Sequence, residues 1–207
     1  MPVYRQVEIV ELMKYRISLL IVALLAACQQ TNYKEIPAVE GEVINVVVEI
    51  PAGTNHKMEY NPAENTFEND LVEGKTRIID FLPYPGNYGF IPSTYMNPAE
   101  GGDGDALDIL VIGESVATGS IIQVIPLGAL QLKDRGEVDT KIIAVPAAET
   151  QRVMKATDFQ SFLLEYDAAK RIIEDWFLNY KGFGEMEFIG WEDESYAWKE
   201  IEKWKVY

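Results

Sequence analysis

The sequence predicts a mainly β domain with flanking helices, an α+β chain whose strands form a barrel or sandwich and whose C-terminal end carries two helices. Three observations predict it. Between residues 43 and 146, β-branched and alternating runs recur with turn signals about every 8–15 residues. After Pro146 the apolar spacing changes to a helical period. Ahead of residue 28 lies a short apolar run of a different character, which ends at Cys28, the only cysteine in the chain.

Residues 43–50 (VINVVVEI) are β-branched and nearly continuous, which predicts a buried strand, and Pro51, Gly53 and Asn55 end it. Residues 57–60 alternate and predict a short second strand, with turns at Asn61-Pro62 and Gly74. Further strands are predicted at 76–82, 88–91, 107–112, 120–132 and 138–145. Thr157-Asp158-Phe159-Gln160 fits a capping box. Phe159, Phe162, Leu163, Tyr166, Ile173, Trp176, Phe177 and Tyr180 then follow one helical stripe, ended by Gly182 and Gly184. Residues 186–189 predict a last strand. Residues 195–205 predict a last helix with Ala197, Ile201 and Trp204 on one face.

The chain has 207 residues, enough for one domain behind a short leader, and at 48% hydrophobic it can bury a sizeable core. Its 18 Lys+Arg against 33 Asp+Glu give a formal charge of −15, which argues against nucleic acid, whose phosphates need a basic face. An acidic protein binds an anionic substrate only through local Lys/Arg or bound cations. One cysteine allows no intrachain disulfide and no Cys-based zinc site. The lone His56, expected at the surface, excludes a His-rich metal site. Any metal is therefore expected on oxygen ligands, which favours Mg²⁺, Mn²⁺ or Ca²⁺.

Residues 17–27 (ISLLIVALLAA) are too few to span a bilayer, which takes about 20. They suit the apolar part of a secretory signal, with Lys14 and Arg16 as its positive flank. Leu25-Ala26-Ala27-Cys28 resembles the bacterial lipobox, in which the cysteine is lipidated and becomes the new N-terminus. On this reading 1–27 is a signal segment, 28–42 a tether and 43–207 the domain. Met13 is a second possible start. A lipid anchor on Cys28 would hold the domain to a membrane of the cell envelope, on the periplasmic side. The alternatives are a buried N-terminal helix and a cytoplasmic protein.

Three polar patches stand where purely structural strands would not put them. Asp103-Gly104-Asp105-Ala106-Leu107-Asp108 enters an apolar strand, and carboxylates crowded around a glycine bend repel one another unless cations neutralise them. Its spacing is not that of an EF-hand loop. Asp134, Asp139 and Lys141 form the second patch. Tyr84-Pro85-Gly86-Asn87-Tyr88-Gly89 is the third, a constrained turn flanked by two phenols. Each alone also fits a solvated turn.

Together the patches resemble the soluble inorganic pyrophosphatases of the first family. The family signature D-[S/G]-D-P-x-D stands here as Asp103 to Asp108. Glu49-Ile50-Pro51, Lys57-Met58-Glu59, Arg77, Tyr84 to Gly89, Asp134-x₄-Asp139-x-Lys141 and Tyr180-Lys181 follow in the family's order. The resemblance covers about residues 43–207. It implies a five-stranded closed β-barrel of the oligonucleotide-binding type, a homo-oligomer, and Mg²⁺-dependent hydrolysis of pyrophosphate, with Mn²⁺ as a possible substitute. It implies that Asp103, Asp108 and Asp139 hold one activating ion, that Asp108 bridges to a second, and that Asp134 and Glu49 take further ions. It makes Asp105 the general base, gives Lys57, Arg77, Tyr88, Lys141, Tyr180 and Lys181 the phosphates, and sets Glu59 beside them. Ala106 replaces the family's usual Pro, so the loop loses a fixed φ. Lys75 competes with Arg77 for its role.

Three other readings compete. A phosphohydrolase acting on nucleotides lacks support, since neither a Nudix box nor a G-x-x-x-x-G-K-[ST] loop occurs. A Ca²⁺-binding envelope lipoprotein would not explain the lysines, arginine and tyrosines at family spacing. An oligonucleotide-binding protein is disfavoured by the charge.

Overall fold

The β-branched runs become strands and the amphipathic runs become helices in the computed structural model, which describes residues 31–206. The signal segment 1–27 and Cys28 lie outside the described residues. The strands are β1 (Val39–Glu40), β2 (Val43–Ile50), β3 (Met58–Asn61), β4 (Thr66–Asn69), β5 (Leu71–Val72), β6 (Lys75–Thr76), β7 (Asn87–Phe90), β8 (Asp108–Val111), β9 (Ile121–Asp134), β10 (Glu137–Pro146) and β11 (Met186–Asp193). The α-helices are α1 (Phe159–Glu165), α2 (Asp167–Asn179) and α3 (Glu194–Trp204). None of the described helices is long and apolar enough to cross a membrane.

The main sheet runs β1-β2-β7-β8-β10-β9-β11, and β2 also pairs with β9. The ladders through β2, β7, β8, β10 and β9 therefore return to β2. Only β8 and β10 pair in parallel; the other ladders are antiparallel. The hairpins β3–β4 and β5–β6 stand outside this sheet.

The fold corrects the sequence expectation in count. Among the described residues the sheet has seven strands, not five, and the α-helices number three, not two. β1 lies in the segment read as tether, where Val39 and Glu40 pair with Ile44 and Val43 and Ala38 is buried. The helical stripe from Phe159 to Tyr180 breaks at Tyr166, whose φ of −127° and ψ of 26° are not helical. The Tyr166 hydroxyl accepts from the Lys155 N–H at 3.0 Å. A one-residue break leaves the apolar period intact on both sides, so the sequence does not reveal it. The α1 cap is Asp158, accepting from Ser161 N–H at 2.7 Å, one residue later than the expected box. Residues 76–82 are mostly loop around Pro83 and Pro85. Among their contacts are an isolated His56–Ile78 bridge, the Ile79 N–H donating to the Asn55 carbonyl at 2.8 Å, and the Leu82 carbonyl, which accepts from the Trp176 indole at 2.8 Å.

Alternate residues of the strands feed two apolar clusters. Ile50, Leu110, Leu130, Leu132, Ile143 and Val145 pack with Phe162, Ile173, Trp176 and Phe177 of α1 and α2. Ile44, Val46, Ile109, Val111, Val124, Ile142 and Ala144 pack with Ala197, Ile201 and Trp204 of α3. Because β8 and β10 bury both faces, they read as continuous apolar runs. On the first cluster's face the same parity continues outward into Asp108, Lys141 and Asp139, so the apolar layer carries the polar site at its end.

Phe162 is fully buried and meets Trp191 edge-on at 6.0 Å. Phe162→Ala is expected to cost about 3–5 kcal/mol in urea unfolding, as deletion of a buried ring does. A loss below about 1 kcal/mol would show that α1 does not seal this cluster.

Candidate active site

The strand register places a lysine between two carboxylates. In the parallel ladder Ile142 sits opposite Ile109, which brings Lys141 of β10 beside Asp108 of β8. The Lys141 ammonium pairs with Asp108 and with Asp139, and its side chain is only 5% exposed. Burial alone would lower its pKa; the Asp108 and Asp139 charges outweigh burial and hold it well above the ordinary lysine value. The ammonium also lies 5.8 Å from the Tyr88 ring. Burial, then Asp108, pushes the Tyr88 phenol well above its usual range, so Tyr88 stays a neutral hydroxyl.

β9 ends on Asp134, whose Oδ2 accepts from Lys181 Nζ at 2.6 Å. Burial opposes the charge, but Lys181 holds the carboxyl below the usual carboxylate range. Its Oδ1 is buried without a hydrogen-bond partner. Tyr180 and Lys181 come from the end of α2, with the Tyr180 ring stacked 4.6 Å from Trp176.

On the opposite side, hairpin β5–β6 folds Arg77 back to Asp70. Arg77 Nη1 reaches Asp70 Oδ2 at 3.0 Å and Lys57 Nζ reaches it at 3.3 Å. Lys57 also pairs with Glu59. Burial works against the Lys57 charge, and Glu59 and Asp70 raise its pKa overall. Asp70 was not foreseen. Its signal lay in the Glu73-Gly74 turn, which brings positions on either side of the hairpin together, and Arg77 N–H donates to the Asp70 carbonyl at 2.8 Å.

The acidic loop is held by backbone. Gly104 has φ of +92°, a bend that favours glycine, and the Asp105 N–H donates to Asp103 Oδ1 at 3.0 Å. At Gly102 a Cβ would come within 2.3 Å of the Met96 backbone, so only glycine permits that approach. Met96 N–H donates to the Asp105 carbonyl at 2.7 Å, and Gly104 N–H to the Met96 carbonyl at 2.8 Å. Buried Thr94, also unforeseen, accepts from Leu107 N–H at 2.9 Å through its hydroxyl. Burial first, then the Asp103 and Asp108 charges, raise the Asp105 carboxyl.

Glu49 on β2 is enclosed. Its Oε1 accepts from Tyr60 N–H at 2.7 Å. Burial, opposed by that hydrogen bond and assisted by Asp108 and Glu59, pushes its carboxyl up to about 8.

Glu49, Lys57, Arg77, Tyr88, the Asp103–Asp108 loop, Asp134, Asp139, Lys141, Tyr180 and Lys181 meet in one cavity of about 720 Å³. Each domain residue expected in the site lines it, as does Glu59. Lys75 and Tyr84 do not line it. Tyr84 is instead packed 4.6 Å from Trp176 and 5.4 Å from Tyr88. Asn87 stitches the loops behind: its Oδ1 accepts from Ala52 and Val116 N–H at 3.1 and 3.0 Å, and its Nδ2 donates to the Glu114 carbonyl. His56 is exposed, as expected.

Among the described residues no three carboxylates converge as a ready-made ion site. The reason is electrostatic: Lys141 stands between Asp108 and Asp139, Lys181 occupies Asp134, and Asp103 and Asp105 lie at the exposed side. The donor set nonetheless suits a hard cation. It is all carboxylate oxygen, and the buried Asp134 Oδ1 lacks a partner. The cavity thus offers Lys57, Arg77, Lys141 and Lys181 to a polyanion and carboxylates to cations.

The inorganic pyrophosphatase family matches residues 46–206. The chain is 34% identical over 164 residues to the inorganic pyrophosphatase of Saccharolobus solfataricus, covering 77% of this chain and 88% of that protein. It is 44% identical over 110 residues to that of Neisseria meningitidis, covering 53% of this chain and 56% of that protein. In several such curated relatives the match spans only 53–58% of their length. The solved inorganic pyrophosphatase of Schistosoma japonicum superposes with a TM-score of 0.75 at 30% identity, covering 82% of this chain and 68% of that one. With a family match running from the middle of β2 past the end of α3, the chain belongs to the inorganic pyrophosphatase family.

Proposed function

We propose that the chain hydrolyses inorganic pyrophosphate to two phosphates in this cavity, with Mg²⁺, or Mn²⁺ in its place, and with Asp105 as general base. The observation that carries this reading is the single cavity in which four cationic side chains, each held by a carboxylate, face the Asp103–Asp108 loop. Pyrophosphate carries charge on both of its phosphates, so its binding needs several cations at once. In this reading Asp103, Asp108, Asp134, Asp139 and Glu49 hold the ions. Bound divalent cations would acidify a water and neutralise phosphate oxygens.

The chain's own groups divide the rest. Asp105, raised by burial and by Asp103 and Asp108, is a stronger proton acceptor than an ordinary aspartate, which suits a group that takes a proton from an attacking water. Lys57 and Arg77, pinned by Asp70, present fixed positive charge to one phosphate. Lys141 and Lys181 present it to the other, and Tyr88 and Tyr180 add neutral hydroxyl donors. Because these side chains are already held by carboxylates, little reorganisation accompanies the growth of charge on the leaving phosphate.

The same reading takes the returning ring of β2, β7, β8, β10 and β9 as the closed barrel of the oligonucleotide-binding type. It takes the protein as a homo-oligomer, anchored in the cell envelope through a lipid on Cys28, with 1–27 as its signal.

Phosphate release from pyrophosphate tests the reaction. Turnover with Mg²⁺, its loss with EDTA, and a fall of about 10²–10⁴-fold in Asp105→Asn are expected. A folded Asp105→Asn enzyme with unchanged turnover would remove the base. Preference for ATP would favour a nucleotide phosphohydrolase, and hydrolysis of neither a cation-binding protein.

The anchor has its own test. Radiolabelled fatty acid fed to the producing bacterium is expected to label the wild type and not Cys28→Ser. An unlabelled wild type in the cytosol would defeat the export reading.

A further inference from the structure

An aromatic turn ahead of the family-matched region grips one site residue from two sides. Tyr33 opens the short 3₁₀ turn Tyr33–Glu35, outside residues 46–206. Its ring meets Tyr60 edge-on at 5.4 Å and Phe67 at 5.1 Å, and its hydroxyl donates to the Gly119 carbonyl at 3.1 Å. Both neighbours lead to Glu49. Tyr60 donates its N–H to Glu49 Oε1 and stacks on Phe90 at 5.4 Å. Gly119 donates its N–H to the Val48 carbonyl at 2.8 Å, and the adjacent Thr118 hydroxyl donates to the Glu49 carbonyl at 2.9 Å. The Glu49 carboxyl is thus held by Tyr60, which Tyr33 touches, and its main chain by Thr118 and by the Val48 contact of Gly119, the residue that Tyr33 bonds. The turn itself is tied down where the Ser93 hydroxyl reaches the Lys34 and Ile36 carbonyls at 3.1 and 2.8 Å.

We propose that Tyr33 is a positioning residue that holds Glu49 in the orientation the cavity uses, so that the segment before the matched region is a working part of the site. The proposal rests on the pyrophosphatase reading for what Glu49 binds, and on geometry for how it is held. An enclosed carboxyl whose supports loosen loses alignment before it loses its fold, and outer supports of a ligand are felt as metal affinity. Tyr33 does not line the cavity and acts only through Tyr60 and Gly119.

The test uses the full chain with Tyr33→Leu and Tyr33→Phe. Bound Mn²⁺ is counted by electron paramagnetic resonance, with and without methylenebisphosphonate, whose P–C–P bridge resists hydrolysis. Thermal melting is followed in parallel. Tyr33→Leu is expected to weaken Mn²⁺ binding about tenfold, the low end of what outer supports cost. Tyr33→Phe keeps the ring and is expected to weaken it about threefold, the value of one modest hydrogen bond. Lower melting with unchanged Mn²⁺ binding in Tyr33→Leu would make Tyr33 merely structural and overturn the proposal. Should Tyr33→Leu fail to fold, Tyr33→Phe decides, and wild-type binding in that variant overturns it. A wild type that binds Mn²⁺ but leaves pyrophosphate intact would count against the reaction and not against the role of Tyr33, because binding is read without turnover.

Discussion

The site depends on a buried ammonium shared by two carboxylates. Lys141 is nearly enclosed, and a lone charge there would be expensive to keep. Asp108 and Asp139 compensate it, and it in turn lets two acids stand close together. The pairing is set by secondary structure. The parallel β8–β10 ladder fixes Lys141 beside Asp108, and the spacing of two along β10 puts Asp139 on the same face. Because the same strands bury apolar residues on both faces, the triad cannot drift without disturbing the core. Its geometry is therefore inherited from packing.

Around that triad, most of the cations and several carboxylates of the cavity are tied to an opposite charge or to backbone. Asp70 restrains Lys57 and Arg77, Lys181 restrains Asp134, and the Met96 backbone restrains the loop that carries Asp103 and Asp105. Such arrangement lowers the cost of receiving a multiply charged anion, since the cations are already oriented. A chain with a formal charge of −15 needs such local cations to receive one. The cavity itself carries more carboxylates than cations, so the anion is met by Lys57, Arg77, Lys141 and Lys181 locally and by whatever cations the carboxylates hold.

Much of the site was legible because the chemistry forces unusual residues into strands and tight loops. Asp103-Gly104-Asp105 stood out because carboxylates crowded around a glycine bend repel one another, and Lys141 because it forms a polar patch with Asp134 and Asp139. Asp70 and Thr94 were not legible. Each looks like an ordinary turn residue and becomes significant only when a hairpin or a loop closure brings it to Arg77 or Leu107. The strand β2 was read to its end residues, since its period and breakers agree. The break at Tyr166 was invisible because a kink of one residue does not disturb an apolar stripe, and β1 was missed because two residues carry no period. The place of Lys141 between Asp108 and Asp139 was not legible either. Sequence spacing shows that acids are near one another, but not that a lysine will sit between them.

The central claim is that this cavity binds linked phosphates and divalent cations together, phosphates on the Lys and Arg side and cations on the carboxylates. Anomalous diffraction from crystals grown with Mn²⁺ and methylenebisphosphonate tests it most directly. The account predicts Mn²⁺ peaks against Asp108 and Asp139 and the bisphosphonate against Lys57, Arg77, Lys141 and Lys181. Manganese bound only outside the cavity, or a bisphosphonate that leaves those four side chains untouched, would contradict it.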